Sequence, residues 1–166
     1  MILATDVQYD EAANTAQTAG VLFENWSDAR AAKEYVSTTA EIAPYIPGQF
    51  YLREMPCLLA LLEQITEPVD LLIVDGYVRL GDKPGLGMHL WNAVERRFPV
   101  VGVAKSHFHE SRAEEVFRGQ SKHPLYVTAV DCEAAEAARR VRHMHGEFRI
   151  PTLLKRVDEL ARKKAG

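Results

Sequence analysis

Val69-Asp70-Leu71-Leu72-Ile73-Val74-Asp75, followed by Gly76, is the stretch from which the fold can be read. Its apolar residues run on without the polar alternation of a strand that faces water on one side. That pattern predicts a strand buried on both faces, in the middle of an α/β sheet. It ends in Asp-Gly, at the carboxyl end of the strand, where open α/β sheets bind their ligands. Pro99–Ala104 (PVVGVA) is a second strand of the same kind. Between the two, Leu86, Leu90, Val94 and Phe98 recur at helical spacing and predict a helix over Leu86–Arg97. A strand–helix–strand unit of this sort argues for an α/β layer architecture.

Working outward towards the N-terminus, Ile2–Gln8 reads as a strand whose apolar character Asp6 interrupts. A polar turn then leads to a second strand over Ala16–Glu24, so the sheet is expected to begin with an antiparallel hairpin. Asp28–Thr39 reads either as a further strand or as a short helix over Ala29–Tyr35. Pro44-Tyr45-Ile46-Pro47-Gly48 excludes any regular element. Arg53–Ile65 carries Leu58, Leu61, Leu62 and Ile65 at helical spacing. Pro56 suits only a first turn, which predicts a helix start near Arg53 or Glu54.

Towards the C-terminus, Gly76–Pro84 reads as a loop and Lys105–Pro124 as a polar, charged region. Leu125–Val130 is a short strand. Asp131 is then the expected N-cap of a helix reaching about Met144, and Pro151–Lys163 is a terminal helix. No linker, repeat or low-complexity tract divides the chain, so a single domain over residues 1–166 is expected, with helices on both faces of a mixed central sheet.

The formal net charge of −3 argues against a surface built uniformly for nucleic acid. It allows a local basic groove, and a bound divalent cation would add positive charge where a phosphate must sit. No stretch reaches the roughly 18 to 20 apolar residues of a membrane span, and the N-terminus lacks the basic start of a secretory signal. Cys57 and Cys132 are far apart and form no disulfide framework, so a reduced, cytoplasmic setting is the expectation.

Three acids stand out by position. Asp6 lies inside a strand, Asp75 ends an inner strand, and Glu54 opens a helix after a proline-rich turn. A carboxylate among Ile2, Leu3 and Val7 is unfavourable in a strand unless something satisfies it. A shared cation would do so, and hard oxygen ligands favour Mg²⁺ or Mn²⁺. The plainer alternatives are an edge position for Asp6 and an ordinary Asp-Gly turn at Asp75. Lys105 and Ser106 follow PVVGVA directly. The ammonium either meets a phosphate oxygen or simply ends a strand at the surface. The pairs His107/His109 and His143/His145 read as zinc ligands or, with no cysteine close by in sequence, as surface histidines, and the arginines 139, 140 and 142 as phosphate contacts or a solvated helix face. Trp26, Tyr35 and Trp91 read as packing or partner-contact residues.

The chain also resembles a known family. Ala4-Thr5-Asp6-Val7-Gln8-Tyr9, Pro44-Tyr45-Ile46-Pro47-Gly48-Gln49-Phe50-Tyr51-Leu52-Arg53-Glu54, Val74-Asp75-Gly76 and Val101-Gly102-Val103-Ala104-Lys105-Ser106 follow one another in the order of the endonuclease V family's motifs. Tyr126-Val127-Thr128 and Phe148-Arg149-Ile150-Pro151-Thr152 resemble its later elements. The resemblance implies a ribonuclease-H-like fold and a metal-dependent endonuclease acting near inosine or a disturbed base in DNA or RNA. It implies Asp6, Glu54 and Asp75 as metal-binding carboxylates for Mg²⁺ or Mn²⁺, with Lys105 assisting at the scissile phosphate. Pro44, Tyr45, Ile46, Pro47 and Gly48 would form a wedge between bases. The damaged base would turn into a pocket, with cleavage one nucleotide beyond it on the 3′ side. Gly76 and Ser106 would line the substrate path. The family's second glycine and His-Pro-Arg after Asp-Gly are here replaced by Tyr77-Val78-Arg79-Leu80-Gly81-Asp82-Lys83. Arg79 or Lys83 is the candidate for the missing positive charge, and Asp158 is the nearest candidate for the further acid or histidine that the resemblance implies in the last helix. A noncatalytic interaction module of the same fold is the alternative reading.

Overall fold

The computed structural model describes residues 1–47, 49 and 51–163. In chain order the elements are β1 (Ile2–Asp10), β2 (Thr15–Phe23), β3 (Lys33–Ala40), α1 (Tyr51–Gln64), β4 (Leu71–Asp75), β5 (Arg79–Leu80), β6 (Lys83–Pro84), α2 (Leu86–Ala93), β7 (Val100–Ala104), β8 (Glu114–Val116), β9 (Leu125–Val130), α3 (Ala134–Arg142) and α4 (Thr152–Arg162). Seven strands form one mixed sheet in the order β3-β2-β1-β4-β7-β9-β8, and β5 and β6 form a separate ribbon. β1 and β2 pair antiparallel along their whole length, whereas β1, β4 and β7 run parallel.

The two faces of the sheet carry two cores. Leu3, Leu72, Val74 and Val100 pack against Cys57 and Leu58 of α1 and Met88 and Leu90 of α2. Ala4, Ile73, Val101 and Val103 pack against Val141 of α3 and Leu153 and Val157 of α4. Successive residues of β4 and β7 thus enter opposite cores, which is why both strands are apolar throughout. The run Leu71–Val74 is the central strand expected of it, and Cys57 is a small core residue. Trp26, Tyr35 and Trp91 pack against the cores as anticipated.

Several local expectations are corrected. The ambiguous segment before the proline-rich turn is a strand: β3 pairs antiparallel with β2, from Thr15 opposite Ala40 to Leu22 opposite Lys33. α1 begins at Tyr51, so Pro56 falls in its second turn. The Leu52 carbonyl that loses its helical donor belongs to an exposed residue, where water can serve instead. α2 stops at Ala93, because Glu95 and Arg96 both take φ 58°, and that turn still brings Phe98 into the core. The expected loop after Gly76 contains the β5–β6 ribbon, and the polar region after Lys105 contains the edge strand β8. Asp131 is not the N-cap of α3. It sits at φ 64°, and Glu133 precedes the first helical residue without a side-chain cap.

Candidate active site

The parallel pairing of β1 with β4 sets Ala4 opposite Ile73. Two residues further along each strand come Asp6 and Asp75. They keep the same facing because strand side chains alternate, so both carboxylates stand together at the carboxyl end of the pair. In the β4–β7 register Asp75 lies opposite Val103. Lys105, two residues beyond Val103, joins the same group. Its Nζ lies 3.6 Å from Asp75 Oδ2 and 3.9 Å from Asp158 Oδ1. Asp158 comes from α4, which crosses this face of the sheet, and Glu54 comes from α1 on the other side.

Asp6 and Glu54 are buried, at 5% and 8% exposure. Burial is the first cause that pushes the Asp6 carboxyl up, to about 8; a hydrogen bond shared with Asp158 and the charge of Asp75 add to it. Burial likewise pushes Glu54 to about 8, with the negative charges of Asp75 and Asp6 behind it. Apolar side chains beneath the cluster, among them Ile73, Val103, Leu154 and Val157, line the pocket that Asp6, Asp75 and Lys105 border. They are a physical source of the desolvation of Asp6.

Asp158 behaves in the opposite sense. Burial pushes it up, but hydrogen bonds from Arg162 and Asp6 and the charge of Lys105 outweigh that and hold it below the usual carboxylate range. Arg162 Nε donates to Asp158 Oδ2 at 2.9 Å. The Gln8 amide bridges β1 and α4, donating to Asp6 Oδ2 at 3.1 Å and Asp158 Oδ1 at 3.3 Å. The Val7 N–H donates to Asp6 Oδ1 at 3.0 Å. Behind Glu54, Arg53 is itself buried; its guanidinium pairs with Glu11 and lies 4.1 Å from the centre of the Tyr9 ring.

The donor set is oxygen alone. Two buried carboxylates that repel each other and Asp75 suit a hard divalent cation, which would relieve the repulsion and favour the ionised forms. Among the described residues, no group of three or more His, Cys, Asp or Glu side chains already closes on a common point. Lys105 holds part of the balancing positive charge in this arrangement.

The other residues singled out in the sequence divide into two groups. Gly76 adopts φ 140°, a conformation for which glycine is suited, and its N–H donates to the Val103 carbonyl at 3.2 Å. Ser106 follows Lys105 and offers its carbonyl to the Tyr77 hydroxyl. Pro44, Tyr45, Ile46 and Pro47 form an exposed segment before α1, with Tyr45 58% and Ile46 43% exposed. Gly48 lies outside the described residues. Arg79 is not brought into the carboxylate cluster. It lines a separate depression of about 360 Å³ with Asp82, Arg112 and Thr128. A larger cavity of about 660 Å³, beside Met1, Ile2, Trp26 and Arg139, lies at the opposite end of the parallel strands and contains none of the carboxylates. His143 and His145 bond the Arg139 carbonyl and the Thr152 hydroxyl, and Arg139 and Arg140 both pair with Glu136.

Gln8 is not assigned to the site from the sequence, and Asp158 enters only through the resemblance, as the nearest candidate for a further acid. Asp158 carries a signal in its position on an amphipathic terminal helix, but which strand that helix crosses is not legible from spacing. Gln8 sits two residues from Asp6 and so shares its facing, which is a usable clue.

Comparison with known proteins gives a consistent result. The endonuclease V from Streptomyces avermitilis is 29% identical to this chain, over 98% of the chain and 79% of that protein. The crystal structure of an endonuclease V from the same organism superposes with a TM-score of 0.80 at 25% identity, covering 97% of this chain and 79% of the other. Ciona intestinalis endonuclease V, in complex with DNA containing an inosine followed by a ribo-adenosine, superposes at 0.83 with 18% identity, over 97% and 83% of the respective chains. The fold is the α/β, ribonuclease-H-like one. The endonuclease V family model matches residues 1–145, which include Asp6, Glu54, Asp75 and Lys105, and the chain belongs to the endonuclease V family.

Proposed function

We propose that this nuclease-family chain is a Mg²⁺- or Mn²⁺-dependent endonuclease that hydrolyses a phosphodiester near inosine, or a similarly disturbed base, in DNA or RNA. One observation carries the reading: Asp6 and Glu54 are buried beside Asp75, and the relief that Gln8 and Lys105 give Asp6 and that Arg53 gives Glu54 still leaves both carboxyls raised to about 8. Asp6, Glu54 and Asp75 hold the metal, and Asp158 completes the oxygen set from α4. When bound, the metal supplies charge stabilisation at the phosphate oxygens and a water acidic enough to attack at neutral pH.

The chain's own groups do the rest. Lys105 turns its ammonium from Asp75 and Asp158 to a phosphate oxygen as the carboxylates are neutralised. Tyr45, exposed on a segment held by two prolines, stacks where a base is drawn out of the helix. The inosine-containing DNA bound by the Ciona relative supports this substrate class.

The test is incubation of purified protein with Mg²⁺ or Mn²⁺ and labelled inosine-containing and plain strands, both DNA and RNA, with Asp75→Ala as control. Metal-dependent cutting near inosine that the variant lacks supports the reading. No cutting of any strand by folded protein favours a noncatalytic binding module. Lys105 already spanning Asp75 and Asp158 is the observation on that side.

A further inference from the structure

We infer that Tyr77 is a positioning residue: its hydroxyl clasps the loop after β7 and so fixes where Lys105 delivers its ammonium. This rests on the role given to Lys105 above. The Tyr77 O–H donates to the Ser106 carbonyl at 2.6 Å, and the same oxygen accepts the Phe108 N–H at 3.1 Å. One phenol therefore holds two backbone groups of the segment that begins at Lys105. The Tyr77 and Phe108 rings also meet, tilted at 60° with centroids 6.3 Å apart.

Tyr77 is itself firmly seated. Its carbonyl accepts the Gly87 N–H at 3.1 Å. The next residue, Val78, is fully buried, donates its N–H to Thr128 Oγ1 at 2.8 Å, and accepts the Gly85 N–H at 2.8 Å. The clasp thus runs from a rigid anchor to a segment outside the sheet ladder. Ser106 and His107 are exposed, and no strand ladder continues past Ala104. A lysine has a long flexible stem, so where its charge goes depends on where its backbone is held. Arg149 donates to the Lys105 carbonyl, and Tyr77 secures the next one along the chain, that of Ser106. The segments that follow Asp75 and Lys105, whose side chains pair at 3.6 Å, are tied to each other by this hydroxyl. A displacement of about 1 Å between reacting groups is enough to cost a large factor in rate.

The test is Tyr77→Phe, which keeps the ring and removes the hydroxyl. Hydrogen exchange at the Phe108 amide should quicken by about tenfold, while the Gly85 and Gly87 amides keep their protection. Cleavage of an inosine-containing strand with Mg²⁺ should lose about tenfold in kcat with little change in KM. In a Lys105→Met background the same substitution should change kcat by less than about twofold, because the residue it acts through is gone. An unchanged Phe108 amide overturns the proposal whatever the activity. So does a quickened amide with unchanged kcat, or an equal loss in both backgrounds. If the wild-type protein cuts no strand, the reading of the chain as a nuclease fails separately. The clasp is then judged by the NMR signal of Lys105 after ¹³C-methylation. A signal that moves in Tyr77→Phe supports it, and one that stays overturns it.

Discussion

Asp75 ends β4 with its side chain 37% exposed, so removing its carboxylate leaves no hole in the core. Asp75→Ala is expected to abolish metal-dependent cleavage, a loss of at least about a thousandfold, while thermal unfolding shifts by no more than a surface substitution does. Cleavage that survives would remove Asp75 from the site. Asp75 is also among the causes that push Asp6 and Glu54 up. The same variant should therefore lower the proton affinity of both, seen by carboxyl NMR titration. Tyr45 is more exposed still, at 58%. Tyr45→Ala should weaken binding to inosine-containing strands about tenfold, in line with the loss of one stacked base, and leave metal binding unchanged in calorimetry. Equal strand affinity in both proteins would sink the wedge.

At the scale of elements, the β4–β7 junction is where sequence and structure meet most closely. Leu71–Val74 and Val100–Ala104 were legible because burial on both faces demands apolar side chains at every position. Gly102 shows how tight their exit is. A Cβ there would lie 2.4 Å from the Gly76 carbonyl oxygen, 2.8 Å from Thr128 Oγ1 and 3.0 Å from the Val78 nitrogen. Two of those neighbours are backbone, so Gly102→Ala must push the loop after Asp75 outward. A loss of about 1–3 kcal/mol is expected, read by urea unfolding, together with weakened cleavage; a variant as stable as the parent would show the loop to be free to move. β3 and β8 were harder to read. β3 buries only Ser37, and β8 is the three residues Glu114–Val116, of which Val116 alone is buried. Edge strands of this kind carry little periodic signal. The placement of Asp158 was hidden for a different reason. It depends on α4 lying across β1, a tertiary contact between residues about 150 apart. Arg79 drew attention by its charge, but the β5–β6 ribbon carries it away from the carboxylates, which no local pattern announces.

For the whole molecule, the buried acids tie stability to pH and to metal. Asp6 and Glu54 rise from 3.8 and 4.5 to about 8 in the fold. A carboxyl with a raised folded value contributes stability that is complete below its unfolded value, near pH 4, and is lost as pH climbs through the folded value. The unfolded chain releases these protons early, and the folded chain must hold them or ionise two neighbouring buried groups. The metal-free protein should therefore lose melting temperature steadily from about pH 5 to about pH 8 and level off above that. Below pH 4 the opposite limb appears, because Glu34, Glu136 and Asp158 are held low by Arg156, Arg139 and Arg162 and lose those partners on protonation. A divalent cation binds the ionised carboxylates of the folded state and no preformed site in the unfolded chain. Mg²⁺ should consequently raise the melting temperature most at pH 8 and little at pH 5, with proton release on binding. Asp6→Asn combined with Glu54→Gln should flatten the metal-free curve over the same range and abolish the response to Mg²⁺. Differential scanning calorimetry across pH 4 to 9, with and without the ion, reads all of these at once. A wild-type curve that is flat from pH 5 to pH 8 would mean that the carboxylates ionise without penalty. The cluster would then not be a strained, cation-seeking site.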